Sequence, residues 1–165
     1  MATITLGGTP ANTNGNLPQT GSSTPKVTLS KTDLSEVSLK DYEGQKLVLN
    51  VFPSVDTGVC AASVRKFNEE ASNLTNTKVL CISRDLPFAQ ARFCGAEGLN
   101  NVECLSDFND GNFGKAFGVE IQDGAFKGLH ARAVVVMDEK GTVVYNQLVP
   151  EVGQEPNYTE ALKHV

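Results

Sequence analysis

Sulfur is the natural nucleophile of this sequence, which carries four cysteines: Cys60, Cys81, Cys94 and Cys104. Cys60 has the most informative neighbourhood. It closes the segment Phe52-Pro53-Ser54-Val55-Asp56-Thr57-Gly58-Val59-Cys60. That places it in the first turn of a predicted helix, after a loop that leaves a buried strand. Backbone N–H groups at a helix start point toward such a sulfur, and the helix dipole favours negative charge there. Both effects favour thiolate over thiol, and the thiolate is the reactive form. Thr57 lies three residues earlier, where its hydroxyl is placed to cap the helix and to reach the sulfur. Pro53 shields one side of the pocket from water and brings no competing N–H. An N-capped helix carrying an inert buried cysteine would show the same spacing, so both readings stand at this level.

The other cysteines separate by context. Cys94 sits at the end of a second predicted helix, with Gly95 and Gly98 allowing that end to loosen. Spacing leaves it either a structural cysteine or a partner for Cys60. Cys81 lies inside the apolar run Val79-Leu80-Cys81-Ile82 and reads as core filling. Cys104 falls in a short predicted strand and receives no role. The absence of any C-x-x-C pair argues against a disulfide reductase site and against a zinc ribbon. His130 and His164 are the only histidines, too few to supply Cys/His zinc sites or a Cys–His protease pair. His130 reads as a loop residue. Arg132 opens the most apolar strand. Its guanidinium either stabilises a thiolate or is a surface charge at a strand end. Gly111, Gly114 and Gly118 do not fit a dinucleotide-binding glycine pattern, and Asp107, Asn109 and Gly111 miss the calcium-loop spacing.

The elements that must hold these residues follow from hydrophobic pattern. Thr3–Leu6, followed by Gly7-Gly8, predicts a short N-terminal hairpin arm, and residues 12–25 a polar loop. Lys26–Leu29 predicts a strand, with extended chain at Ser35–Leu39. Leu47–Phe52 and Lys78–Ser83 are near-continuous apolar runs, the mark of strands covered on both faces. Between them Val64, Phe67, Ala71 and Leu74 recur at helical spacing. Leu86–Cys94 predicts a helix with Pro87 in its first turn, and Asn112–Phe117 a weaker one. Ala133–Met137 and Val143–Gln147 make a hairpin across Asp138–Gly141, and Tyr158–Val165 a closing helix. A βαβ unit followed by a hairpin and a helix is the thioredoxin-like order, an α/β fold with a mixed sheet between helices.

Composition narrows the function classes. The chain has 165 residues, 40% of them hydrophobic and 20% charged, with net charge −5. This predicts one globular domain over residues 1–165, able to bury a core without disulfides. An acidic chain with no basic cluster is a poor partner for nucleic acid or anionic membrane. No charged side chain precedes Lys26, so the basic start of a secretory signal is missing, and no membrane-length apolar run occurs. The expectation is a cytoplasmic protein with reduced thiols, in which a disulfide is transient and catalytic.

These residues resemble a known family. Pro53-x-x-x-Thr57-x-x-Cys60 is similar to the peroxiredoxin active-site signature, and Arg132 stands where that family has its active-site arginine. Asn50 through Cys60 resembles the bacterial thiol peroxidase branch. So does Ser83-x-Asp85-Leu86-Pro87-Phe88-Ala89-Gln90-Ala91-Arg92-Phe93-Cys94. The match runs from about Leu17 to the C-terminus. It implies a thioredoxin-like fold with an N-terminal hairpin. It implies Cys60 as the peroxidatic cysteine and Cys94 as the resolving cysteine of the same chain, an atypical two-cysteine arrangement. Thr57, Arg132 and Pro53 complete the implied site. The implied substrates are alkyl hydroperoxides and hydrogen peroxide, and the implied electron donor is thioredoxin. A homodimer is implied, and no metal, haem or flavin. Cys81 matches a family cysteine without a required role in turnover, whereas Cys104 departs from the pattern. Because disulfide partners need Cα atoms within about 7 Å, a Cys60–Cys94 bond predicts local unwinding of one or both helices. Two alternative functions are a thiol–disulfide oxidoreductase, disfavoured by the missing C-x-x-C, and a peroxide sensor that relays its disulfide.

Overall fold

The computed structural model describes residues 1–165. Seven strands form one mixed sheet: β3 (Thr28–Lys31), β4 (Glu36–Ser38), β5 (Lys46–Val51), β6 (Thr77–Ser83), β7 (Glu103–Ser106), β8 (Ala133–Met137) and β9 (Val143–Leu148), in the order β4-β3-β7-β6-β5-β8-β9. The first two strands, β1 (Thr3–Leu6) and β2 (Thr9–Asn12), make a separate antiparallel hairpin. β5 pairs in parallel with β6 and antiparallel with β8, and β6 pairs in parallel with β7. Four α-helices, α1 (Gly58–Ala71), α2 (Pro87–Glu97), α3 (Asn112–Phe117) and α4 (Tyr158–Leu162), and a 3₁₀ turn at Leu39–Tyr42 complete the chain.

Alternation along β5 sorts its side chains onto two cores. Leu47, Leu49 and Val51 join Phe113 and Phe117 of α3, and Ile4 and Ala11 of the hairpin. Val48 and the following Phe52 join Val64 and Phe67 of α1, Phe93 of α2 and Ala161 of α4. The parallel β5-α1-β6-α2-β7 run therefore lays α1 and α2 side by side on one face. The ion pair Arg65–Glu97 at 2.8 Å joins them, and Arg92–Asp56 at 3.0 Å ties α2 to the loop before α1.

The structure shifts several sequence boundaries, and the closing helix stops at Leu162 rather than Val165. β3 begins at Thr28 rather than Lys26, because pairing with β4 and β7 sets its register. α2 runs on through Cys94 and Gly95 to Glu97 and stops at Gly98, whose φ of 65° is left-handed. Gly95 costs the helix about 1 kcal/mol but does not break it, so Cys94 lies inside the last turn rather than at its end.

The hairpin arm reaches the segment that lines the site described below. Thr5 N–H donates to the Pro150 carbonyl at 2.8 Å, and Val152 N–H donates to the Thr5 carbonyl at 2.9 Å. The Glu151 carboxylate accepts from the Gly8 and Gly153 N–H groups, each at 2.8 Å. Those backbone donors hold its carboxyl down at about 2. At the far end of α3, Gly118 has φ of 70°, and a Cβ there would collide with the Asn16 backbone. Gly118→Ala is expected to cost about 2 kcal/mol and to lower Tm by about 4–8 °C. Thermal unfolding followed by circular dichroism checks this.

Candidate active site

The site forms where β5 ends. Phe52 N–H still donates to the Ile82 carbonyl at 3.2 Å, and then Pro53 ends the strand pairing. The loop to α1 is held by one carboxylate. Asp85 accepts from Ser54 Oγ at 2.7 Å, from Val55 N–H at 2.8 Å and from Ser83 Oγ at 2.7 Å. The sequence motif contains Asp85, but no local signal there assigns it to the Cys60 loop. Only the parallel pairing of β5 with β6 brings the two loops together.

Cys60 falls in the first turn of α1 and is fully buried. Its Sγ accepts a hydrogen bond from Arg132 Nη2 at 3.2 Å. Arg132 is itself 2% exposed. Its Nε donates to the Val152 carbonyl at 2.9 Å, and its buried Nη1 has no partner. No carboxylate pairs with this guanidinium. Arginine does not lose its proton, and the Cys60 sulfur is the one side-chain acceptor this buried guanidinium has. The reading of Arg132 as a surface strand-end charge is therefore wrong. Its sequence position shows the strand end but not the cover that β5, α1 and residues 150–153 place over it.

On the other side of Arg132 from the chain interior, where the Cys60 loop meets residues 152–153, lies a cavity of about 150 Å³, bordered by Pro53, Thr57, Val59, Phe126, Arg132 and Val152. The three guanidinium nitrogens thus differ: Nε binds the chain, Nη2 the sulfur, and Nη1 has no protein acceptor. Thr57 occupies the N-cap position of α1 but makes no side-chain cap. Its hydroxyl donates to the Ser54 carbonyl at 3.1 Å instead. The expected capping bond, in which the hydroxyl would accept from a helix N–H, is absent, because donating to Ser54 turns the hydroxyl back toward its own turn. Thr57 still lines the cavity, as does Pro53.

Cys94 does not sit against Cys60. Its half-buried Sγ lies 2.8 Å from Cys104 Sγ on β7. The hydrogen bond from Cys104 holds the Cys94 thiol below the usual range, while the same contact and burial push Cys104 up. Cys81 neighbours Cys104 across the β6–β7 register. It is core, as its apolar strand predicts, and burial pushes its thiol up to about 12.

His130 is not the loop residue expected. It is fully buried, with Nε2 2.8 Å from Asp107 Oδ2. Asp107 also accepts the Phe113 and Gly114 N–H groups at 3.0 and 2.9 Å, so it ties the start of α3 to the approach to β8. Nothing in the spacing of Asp107 and His130 signals this pairing.

No group of three or more His, Cys, Asp or Glu side chains is arranged to hold a metal ion. No helix is long and apolar enough to cross a membrane.

Comparison with known proteins places this geometry. A family model described as Redoxin matches residues 19–162. A thiol peroxidase of Corynebacterium glutamicum is 54% identical over 162 residues, covering 98% of each chain. The crystal structure of a peroxiredoxin-like protein from Aquifex aeolicus superimposes with a TM-score of 0.93 at 39% identity, covering 99% of this chain and 95% of that one. A thiol peroxidase from Chromobacterium violaceum shares the fold, with a TM-score of 0.91 at 20% identity over 98% of this chain and 93% of that one. A buried cysteine paired with a buried arginine beside a small cavity suits thiol chemistry on a peroxide. With near-full-length identity behind it, the chain belongs to the redoxin family as a thiol peroxidase.

Proposed function

We propose that peroxide reduction here runs through Cys60 as the peroxidatic thiolate and Cys94 as the resolving thiol. The observation that carries this reading is the buried Arg132, with Nη2 on the Cys60 sulfur and Nη1 unpartnered. A hydroperoxide in the cavity brings the oxygen acceptors that Nη1 lacks. The Cys60 thiolate attacks the distal oxygen, the O–O bond breaks, and the other oxygen leaves with the electron pair. Arg132 and the helix-start N–H groups stabilise that developing charge, and a proton from solvent completes the alcohol or water. Cys60 becomes a sulfenic acid. Thr57 and Pro53 shape the cavity. Val59, Val152 and Phe126 offer apolar surface to the organic part of an alkyl hydroperoxide, and hydrogen peroxide fits the same space.

Resolution follows from α1 and α2 lying on one face. The Cys94 thiol condenses with the sulfenic acid, forming Cys60–Cys94 and releasing water. Cys60 is directed toward β8 and Cys94 toward β7. Those strands are separated by β6 and β5, about 14 Å at ordinary strand spacing. The last turn of α2 or the first turn of α1 must therefore unwind to let the sulfurs meet. A thioredoxin dithiol then reduces the bond by exchange, with no prosthetic group. Family resemblance extends this reading to a cytoplasmic homodimer.

The test is an assay coupling NADPH, thioredoxin reductase and thioredoxin to cumene hydroperoxide. Cys94→Ser is expected to lose thioredoxin-dependent turnover yet still consume about one equivalent of peroxide per chain through Cys60. Full turnover in Cys94→Ser overturns the resolving assignment.

A further inference from the structure

Cys104 has no part in the cycle above, yet its sulfur is the one that touches Cys94. The two sulfurs lie 2.8 Å apart with α2 fully formed. Cys104 is fixed on β7, between β6 and β3 in the sheet, and is 3% exposed. Cys94 is the helix-borne member, in the last turn of α2 and half-buried. Cys81, the third thiol of the cluster, is held by Asn50, whose Nδ2 lies 3.8 Å from its sulfur.

We propose that Cys104 takes Cys94 over from Cys60 by internal thiol–disulfide exchange, leaving a Cys94–Cys104 disulfide and a free Cys60 thiolate. This rests on the reading that Cys60–Cys94 forms first. The step balances within the chain. Cys104 gives up its proton to solvent and its sulfur attacks Cys94 Sγ. The Cys94–Cys104 bond forms, the Cys60–Cys94 bond breaks, and Cys60 leaves with the electron pair to rejoin Arg132. No external oxidant is needed, because the peroxide has already supplied the oxidation.

Helix geometry drives the exchange. A Cys60–Cys94 bond holds helical turns open, whereas the native course of α2 returns Cys94 to Cys104. Refolding of those turns therefore favours the second disulfide. Its raised thiol makes Cys104 a slow nucleophile, so exchange trails resolution and competes with thioredoxin. When reductant is short, the chain regains a working Cys60 and takes up a second peroxide. That second sulfenic acid then has no free Cys94 to meet.

The experiment treats fully reduced protein with one equivalent of hydroperoxide, traps thiols by alkylation at successive times and maps disulfides by peptide mass spectrometry. Wild type is expected to show Cys60–Cys94 first, then Cys94–Cys104 with Cys60 alkylated. A further addition of peroxide should be consumed, doubling uptake from about one to about two equivalents per chain. Cys104→Ala and Cys104→Ser should both stop at Cys60–Cys94 and near one equivalent. Their normal first equivalent shows that they are folded. Persistence of Cys60–Cys94 in wild type, or pairing through Cys81, overturns the exchange while leaving the resolving reading intact. Absence of Cys60–Cys94 at the earliest time overturns both and assigns the failure to the resolving step.

Discussion

Cys60→Ser is expected to be inert toward hydroperoxide, with peroxide consumption falling by about 10⁴-fold or more. Serine keeps the size and the hydrogen bond to Arg132 but loses the nucleophile. A hydroxyl is not a thiolate at neutral pH, and no histidine or carboxylate near Cys60 is placed to activate one. The fold should survive, since the helix start, the Asp85 contacts to the loop and the core around Val64 and Phe67 do not depend on sulfur chemistry. The chain has no tryptophan, so oxidation is best followed as loss of peroxide rather than by intrinsic indole fluorescence. Circular dichroism on the same sample reports the fold. Appreciable peroxide consumption by folded Cys60→Ser overturns the assignment of the nucleophile.

Arg132→Ala carries the second large expectation. Oxidation of Cys60 should slow by about 10²–10³-fold, the usual consequence of removing a donor that stabilises transition-state charge. The loss has two parts. The sulfur loses the donor at 3.2 Å, and the cavity loses the unpartnered Nη1. Arg132→Lys should recover only part of the rate, because one ammonium cannot serve Val152, the sulfur and a peroxide oxygen at once. Stability should change far less than rate, since burying the guanidinium is itself costly. Single-turnover peroxide consumption at several concentrations reads the first effect, and thermal unfolding reads the second. An unchanged oxidation rate in a folded variant overturns the role given to Arg132.

Local chemistry was well written in the chain. The Leu47–Phe52 and Lys78–Ser83 runs mark strands covered on both faces, and the structure buries them so. The spacing of Val64, Phe67 and Ala71 draws α1, and Cys60 falls in its first turn. The Thr3–Asn12 hairpin and the β8–β9 hairpin follow from alternation and glycine turns. Where sequence reading slipped, a competing contact explains it. The Thr57 hydroxyl donates to the Ser54 carbonyl and is thereby turned away from the helix N–H groups it would accept from. The end of α2 moved to Gly98 because a left-handed residue stops a helix more firmly than an internal Gly95 does.

What the sequence determined by itself is therefore the order of elements, the two-faced central strands, a helix with a cysteine in its first turn, and through family resemblance the peroxidase class. These depend on neighbours within about two helical turns, where periodicity and turn residues act directly. The tertiary structure alone decided that Arg132 is buried on the Cys60 sulfur, 72 residues away, and that Asp85 braces the Cys60 loop from 30 residues away. It also decided that His130 pairs with Asp107 and that Cys94 faces Cys104 rather than Cys60. Each of these joins residues that lie on or flank different strands or helices. Which of them meet is set by the strand order β7-β6-β5-β8 and by the face on which each helix packs, and no local pattern encodes that choice.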